Sequence, residues 1–126
     1  MESADIITLA DIVQLVNTFY AKVKDDALIG PIFKNRIQDQ WPEHLDKMYR
    51  FWQGILLGEQ TYNGRPFPPH AQLPINTEHF ERWLALFQTT VDELYAGPVA
   101  EEAKFRANSI AKVFYNKLQY LKNSQE

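Results

Sequence analysis

Cysteine is absent from the 126-residue chain, which excludes disulfide bridges and thiolate metal sites. Histidine is scarce: His44, His70 and His79 are the three in the sequence, so any histidine-centred chemistry must draw on them. There is no apolar run of about eighteen residues to span a bilayer, and Met1-Glu2-Ser3-Ala4-Asp5 lacks the basic and apolar regions of a signal peptide. The cytoplasm is the expected location. Charge of one sign is also in short supply, since 13 Lys and Arg against 16 Asp and Glu leave a formal net charge of −3. No basic cluster invites a nucleic acid or an anionic membrane. The phosphate-cradling glycine motifs, the His-Glu-x-x-His zinc motif and a serine in a nucleophile elbow are all missing. A carboxylate-bridged di-iron bundle needs Glu-x-x-His twice, but Trp41, Phe67 and Asn76 stand three residues before the histidines.

What is present is apolar and aromatic. Hydrophobic residues make up 45% of the chain, and 3 Trp, 6 Tyr and 8 Phe suit a well-filled interior with room for a flat apolar ligand. The length fits a single domain spanning residues 1–126. Its dominant period is helical. Thr8 and Asp11 have the spacing of a capping box, and Leu9, Ile12, Val16, Phe19, Tyr20 and Val23 follow at three- and four-residue steps. This first helix should end near Lys24-Asp25. Gly30-Pro31 then punctuates the backbone, so the segment through Ile37 should hold only short helical turns. Pro42 suits the first turn of a helix running to Leu57 before Gly58.

Prolines and glycines at 64, 66, 68, 69 and 74 forbid a long regular helix in the central connection, and such loops tend to carry sites. Asn76 or Thr77 can cap a third long helix with the stripe Phe80, Trp83, Leu84, Phe87, Val91 and Leu94, stopped by Gly97-Pro98. A last helix begins near Val99 and carries Ala103, Ala107, Ile110, Phe114, Leu118 and Leu121 on one side. No strand-like alternation or repeat competes, so the fold class is all-α. The pairs Asp25-Asp26, Asp92-Glu93 and Glu101-Glu102 read most simply as solvated helix ends or faces.

A histidine near a helix start is ordinarily a solvated surface residue, but His44 heads a stripe of Met48, Phe51 and Ile55. At about 100° per residue these lie within roughly 40° of it, so its imidazole projects over an apolar face. It either fills a polar pocket at the core's edge or guards something bound there. His70 follows Ile55 by fifteen residues, behind prolines at 66, 68 and 69 that restrict its backbone and limit the entropy lost on fixing the ring to a metal. Two such histidines in a chain without cysteine point to haem, held without the C-x-x-C-H attachment. His79 reads as a surface or cap-adjacent residue near a haem edge.

Phe19-Tyr20-Ala21-Lys22-Val23, Leu28-Ile29-Gly30-Pro31-Ile32-Phe33, Trp41-x-x-His44, Phe51-Trp52-x-Gly54-x-Leu56-Leu57-Gly58, Tyr62-Asn63-Gly64, Pro69-His70 and Phe80-x-x-Trp83-Leu84-x-Leu86-Phe87 occur in this order. Together they resemble a group III truncated haemoglobin over almost the whole chain, and the absence of Gly-Gly agrees with that group. The resemblance implies a two-over-two helical sandwich around noncovalent haem b. His70 would be the proximal axial ligand, Tyr20 and Trp83 the distal hydrogen-bond donors and His44 the distal gate. Met48, Phe51 and Trp52 would line the distal wall, and Phe33, Phe87 and Ile110 would touch the macrocycle. Lys47, Arg65 and Arg82 are the candidate propionate partners.

Two donors facing a bound gas should stabilise it by charge-assisted hydrogen bonds and slow its release. Three classes of function follow. The leading one is a monomeric binder of oxygen, nitric oxide and carbon monoxide, with cyanide or peroxide as further ligands; a role in oxygen transport belongs to it. The second is a haem enzyme served by an unidentified reductase, either a nitric oxide dioxygenase or a peroxidase-like catalyst. The third is a haem-free helical interaction module, in which the aromatic stripes are plain core.

Overall fold

The computed structural model describes residues 4–59 and 77–124, and the central connection with His70 lies outside them. Five helices are found among the described residues: α1 (Leu9–Asp25), α2 (Gly30–Ile37), α3 (Trp41–Leu57), α4 (Thr77–Leu94) and α5 (Pro98–Ser124). Local chemistry accounts for their ends. The Thr8 side chain accepts from the Asp11 N–H while Asp11 accepts from the Thr8 N–H, closing the capping box that opens α1. Gly58, at φ 72, closes α3 in the left-handed region that glycine adopts without strain.

The segment 30–37 departs from expectation. Pro31 lies in the first turn of an eight-residue helix rather than interrupting one, because its missing N–H falls where no intrahelical acceptor exists. Gly30 is required there by close packing. A Cβ at this position would meet the Lys24 and Val23 carbonyl oxygens at 2.8 and 2.9 Å. The third long helix also stops sooner than expected, at Leu94. The Ala96 N–H instead donates to the Ala4 carbonyl at 3.0 Å, tying the N-terminal segment to the α4–α5 corner.

α1 is the central element, packed against α2, α3 and α4, while α4 lies along α5 and α3 touches α5. The helices thus stack as an α1/α3 pair over an α4/α5 pair. One apolar stripe of α1, from Ile12 through Leu15, Val16 and Phe19 to Val23, is buried in one core with Phe87 and Val91 of α4 and the small Ala103 and Ala107 of α5. Small residues on α5 let its backbone approach closely. Among the described residues no helix is long and apolar enough to cross a membrane.

Two carboxylates lock the corners, Asp5 half-buried and Asp26 buried. Asp5 accepts from the Val99 and Ala100 N–H groups at 2.9 and 2.8 Å and so caps the start of α5 from 94 residues away. Asp26 stands where a solvated helix end was expected, yet its side chain is only 2% exposed. It accepts from the Leu28 and Ile29 N–H groups, each at 3.0 Å, and from Arg82 Nε at 2.5 Å. Burial by itself would raise the Asp26 pKa. The Ile29, Arg82 and Leu28 hydrogen bonds, with the Arg82 charge, outweigh that and hold it below the ordinary value. The other acidic pairs do face solvent, where Glu93 meets Lys22, and Asp92 and Glu101 both meet Lys104.

Candidate functional site

All five helices contribute to one cleft of about 830 Å³, a volume that includes the space opening to solvent. Its walls are Phe19 and Tyr20 from α1, Ile32 and Phe33 from α2, Met48, Phe51 and Trp52 from α3, His79, Phe80 and Trp83 from α4, and Ile110, Ala111 and Phe114 from α5, with Ile29 before α2. The lining is overwhelmingly apolar, with the few polar groups supplied by Tyr20, His79 and Trp83. A cavity of this size and composition suits one organic ligand oriented by a small number of hydrogen bonds.

The aromatic side chains brace one another. Trp52 stacks on Phe87 with centroids 4.9 Å apart and an 18° interplanar angle, and Phe87 stacks in turn on Trp83 at 5.8 Å and 12°. Both indoles on the cleft wall are therefore seated against one buried ring. Phe19 meets Tyr20, Trp83 and Phe87 edge to face, the arrangement that ring quadrupoles favour.

Tyr20 is 6% exposed. Its ring is held edge to face by Phe19, Phe33, Trp41 and His44 at 5.0, 6.1, 6.0 and 5.1 Å. No hydrogen bond among the described residues engages its hydroxyl. Burial pushes its pKa far above the ordinary phenol value, so the group stays protonated and can donate at any physiological pH.

Of the residues singled out from the sequence, Tyr20, Phe33, Met48, Phe51, Trp52, Trp83 and Ile110 line this one cleft. Phe87 lies beneath its wall, in the core between the two indoles. His44 packs edge-on to both Tyr20 and Trp41, with its Nε2 buried, and is not part of the cleft lining. Lys47 is exposed on α3. Arg82, a candidate propionate partner by the resemblance, pairs through Nε with Asp26, and its side chain is 53% exposed. His70 and Arg65 fall outside the described residues.

His79, read from the sequence as a surface or cap-adjacent residue near a haem edge, lies in the first turn of α4, half-buried on the cleft wall. Its position four residues before Trp83 puts it on the same helical face. Phe19, Phe80 and Phe114, on the apolar stripes of their helices, also reach the cleft. Among the described residues no three His, Cys, Asp or Glu side chains converge on a common point.

The likeness to known proteins runs the length of this framework. Residues 5–118 match the family model described as bacterial-like globin. Group 3 truncated hemoglobin ctb from Campylobacter jejuni is 40% identical over 118 residues, covering 90% of this chain and 93% of the relative. The crystal structure of a group III truncated hemoglobin from Campylobacter jejuni superposes with a TM-score of 0.83 at 39% identity, over 92% of this chain and 94% of the other. Stacked helix pairs, an aromatic cleft between them and a match over nearly all the chain lead to one assignment: the protein belongs to the bacterial-like globins and, among these, to the group III truncated haemoglobins.

Proposed function

We propose that the chain holds haem b noncovalently in this cleft and reversibly binds oxygen, nitric oxide and carbon monoxide there, with His70 as proximal ligand and Tyr20 and Trp83 as distal donors. Membership in the globins implies haem and diatomic gas ligands. The observation that carries the finer reading is the Tyr20 hydroxyl, attached to a buried ring at an apolar cleft and without a hydrogen bond among the described residues. A phenol placed so on an apolar wall is free to donate to a ligand that enters the cleft. The residues present also fit a flat macrocycle, since rings and aliphatic side chains from all five helices face the cleft.

When bound, haem supplies an iron at which a diatomic gas gains electron density and becomes a good hydrogen-bond acceptor. Tyr20 keeps its proton and donates it in a hydrogen bond. Trp83 Nε1 can only donate, and its stack on Phe87 fixes the direction from which it does so. The apolar walls lower the local dielectric, which strengthens each of these contacts. The prolines at 66, 68 and 69 restrict the backbone that carries His70 and lower the entropy lost on ligation.

The test is a haem titration of the purified protein followed by absorption spectroscopy. The wild type and His79→Ala should take up one equivalent of haem and give the Soret band of a histidine-ligated globin. His70→Gly should lose it and regain it in part on addition of free imidazole. An unchanged Soret band in His70→Gly would reject the axial assignment.

A further inference from the structure

Lys24 and Tyr20 stand one turn apart on α1, and Trp41, the first residue of α3, packs across both. The Lys24 ammonium lies 4.2 Å from the Trp41 ring centroid, well inside cation–π range. The Trp41 ring meets Tyr20 at 6.0 Å and 68°, and His44 at 6.0 Å and 89°. His44 in turn meets Tyr20 at 5.1 Å and 87°. Three rings thus contact one another pairwise, with a lysine closing the outer face of the indole.

Trp41 and His44 both lie in the first turn of α3, and neither lines the cleft. Tyr20 does line it. We infer that Trp41, clamped by Lys24, and His44 form a bracket that sets the direction of the Tyr20 hydroxyl, so that Lys24 and Trp41 are positioning residues for the distal donor. The inference rests on the proposal that Tyr20 faces the bound gas, and it extends the site to a residue whose charge lies outside the cleft.

The bracket is local and specific. Pro42 fixes the backbone immediately after Trp41 and sits in the first helical turn, where it costs no hydrogen bond. The start of α3 is therefore stiff, and its indole has one natural seat, between the two α1 side chains. Removing the ammonium leaves the ring edge contacts in place but frees the outer face of the indole. The bracketed arrangement should lose roughly two- to fivefold in population against alternatives, the range expected of a partly exposed cation–π contact. Arginine retains the cation over the ring and should keep the bracket closed.

Haem-loaded protein under carbon monoxide serves as the probe, with two readouts. The infrared C–O stretching band reports the donor that faces the gas, and proton NMR reports the Trp41, His44 and Tyr20 ring resonances, which each ring shifts in its neighbours. Lys24→Met should split or broaden the C–O band and move the three sets of ring signals, whereas Lys24→Arg should leave both near wild type. Trp41→Leu should exceed Lys24→Met in both readouts, and Trp41→Phe should fall between.

Wild-type spectra in both Lys24→Met and Trp41→Leu would overturn the bracket, as would equal effects of Lys24→Met and Lys24→Arg. A C–O band unmoved by Tyr20→Phe would instead reject the parent reading of Tyr20. In that case the ring resonances still decide whether Lys24 and Trp41 hold the Tyr20 ring.

Discussion

Replacing Tyr20 by Phe should weaken ligand retention while leaving protein stability nearly unchanged. The substitution keeps the ring and hence the edge contacts to Phe19, Phe33, Trp41 and His44, and it deletes only the hydroxyl. That group makes no hydrogen bond among the described residues, so nothing it holds together in the protein is broken. Losing a hydrogen bond to a partly charged gas ligand should cost about 1.5–3 kcal/mol, or about tenfold to a hundredfold in the rate of release. The hydroxyl belongs to a residue on the cleft wall and is not among the sealed, partnerless polar atoms, so its deletion should change the stability of the ligand-free protein by no more than about 0.5 kcal/mol, or roughly 2 °C in melting temperature for a domain of this size.

Stopped-flow displacement of oxygen by carbon monoxide gives the first quantity. Thermal melting of the ferrous, ligand-free protein gives the second. A pH series adds a third, since the folded-state phenol pKa lies above the unfolded value of 10.0. Stability from this raised pKa is complete below about pH 10 and is lost as pH climbs toward the folded value, so Tyr20→Phe should flatten the alkaline limb. Unchanged oxygen release combined with a clear fall in melting temperature would show that the hydroxyl serves the fold, and the reasoning would fail.

Two further outcomes follow from the corners of the fold. Asp26→Asn should lower stability by about 1–3 kcal/mol at neutral pH, because it weakens a buried acceptor of two backbone N–H groups and Arg82. Asp26 has its pKa depressed on folding, so its contribution is present above the unfolded value near 3.8 and vanishes as pH falls through the folded one; urea titrations from pH 7 to 3 should show the variant losing less stability than wild type. Gly97→Ala should destabilise by about 2 kcal/mol or more in the same assay, since φ is 139 and a Cβ there would lie 2.6 Å from Asp5 Cγ. A neutral Gly97→Ala would mean that the Asp5 cap yields without loss.

How much of this could be read in the chain depended on how far apart the interacting residues lie. The Thr8–Asp11 cap, the Pro42 start and the Gly58 stop involve neighbours within a turn, and each appears where the sequence places it. Asp26 was legible only as one of two acidic residues at a helix end, because the cation that completes its site is 56 residues away. The Asp5 cap on α5 spans 94 residues and has no local signature at all. Periodicity likewise separates a helix's inner face from its outer one without dividing core from cleft. Phe87 and Trp83 share a stripe, yet one is sandwiched in the interior while the other lines the cavity. Family resemblance, not spacing, singled out Tyr20 and Trp83, and the globin assignment sets aside the haem-free interaction module.

Hydrogen-bond accounting separates two tyrosines that burial cannot. Tyr20 and Tyr95 are each 6% exposed. The Tyr95 hydroxyl lies 2.9 Å from the Asp11 carbonyl and 2.7 Å from Gln14 Oε1, so it joins the end of α4 to the first turns of α1. Its polar tip is satisfied within the protein, as the fold of a buried phenol requires. Among the described residues Tyr20 is held through its ring alone, and it lines a cavity. The same Tyr-to-Phe change should therefore act on different quantities at the two positions. At Tyr95 it strands an acceptor and should cost about 1 kcal/mol while leaving oxygen release alone; at Tyr20 it should leave stability nearly unchanged and loosen the gas. A fold that satisfies one phenol internally and sets its counterpart on a cleft wall leaves room there for a ligand to accept the second hydrogen bond.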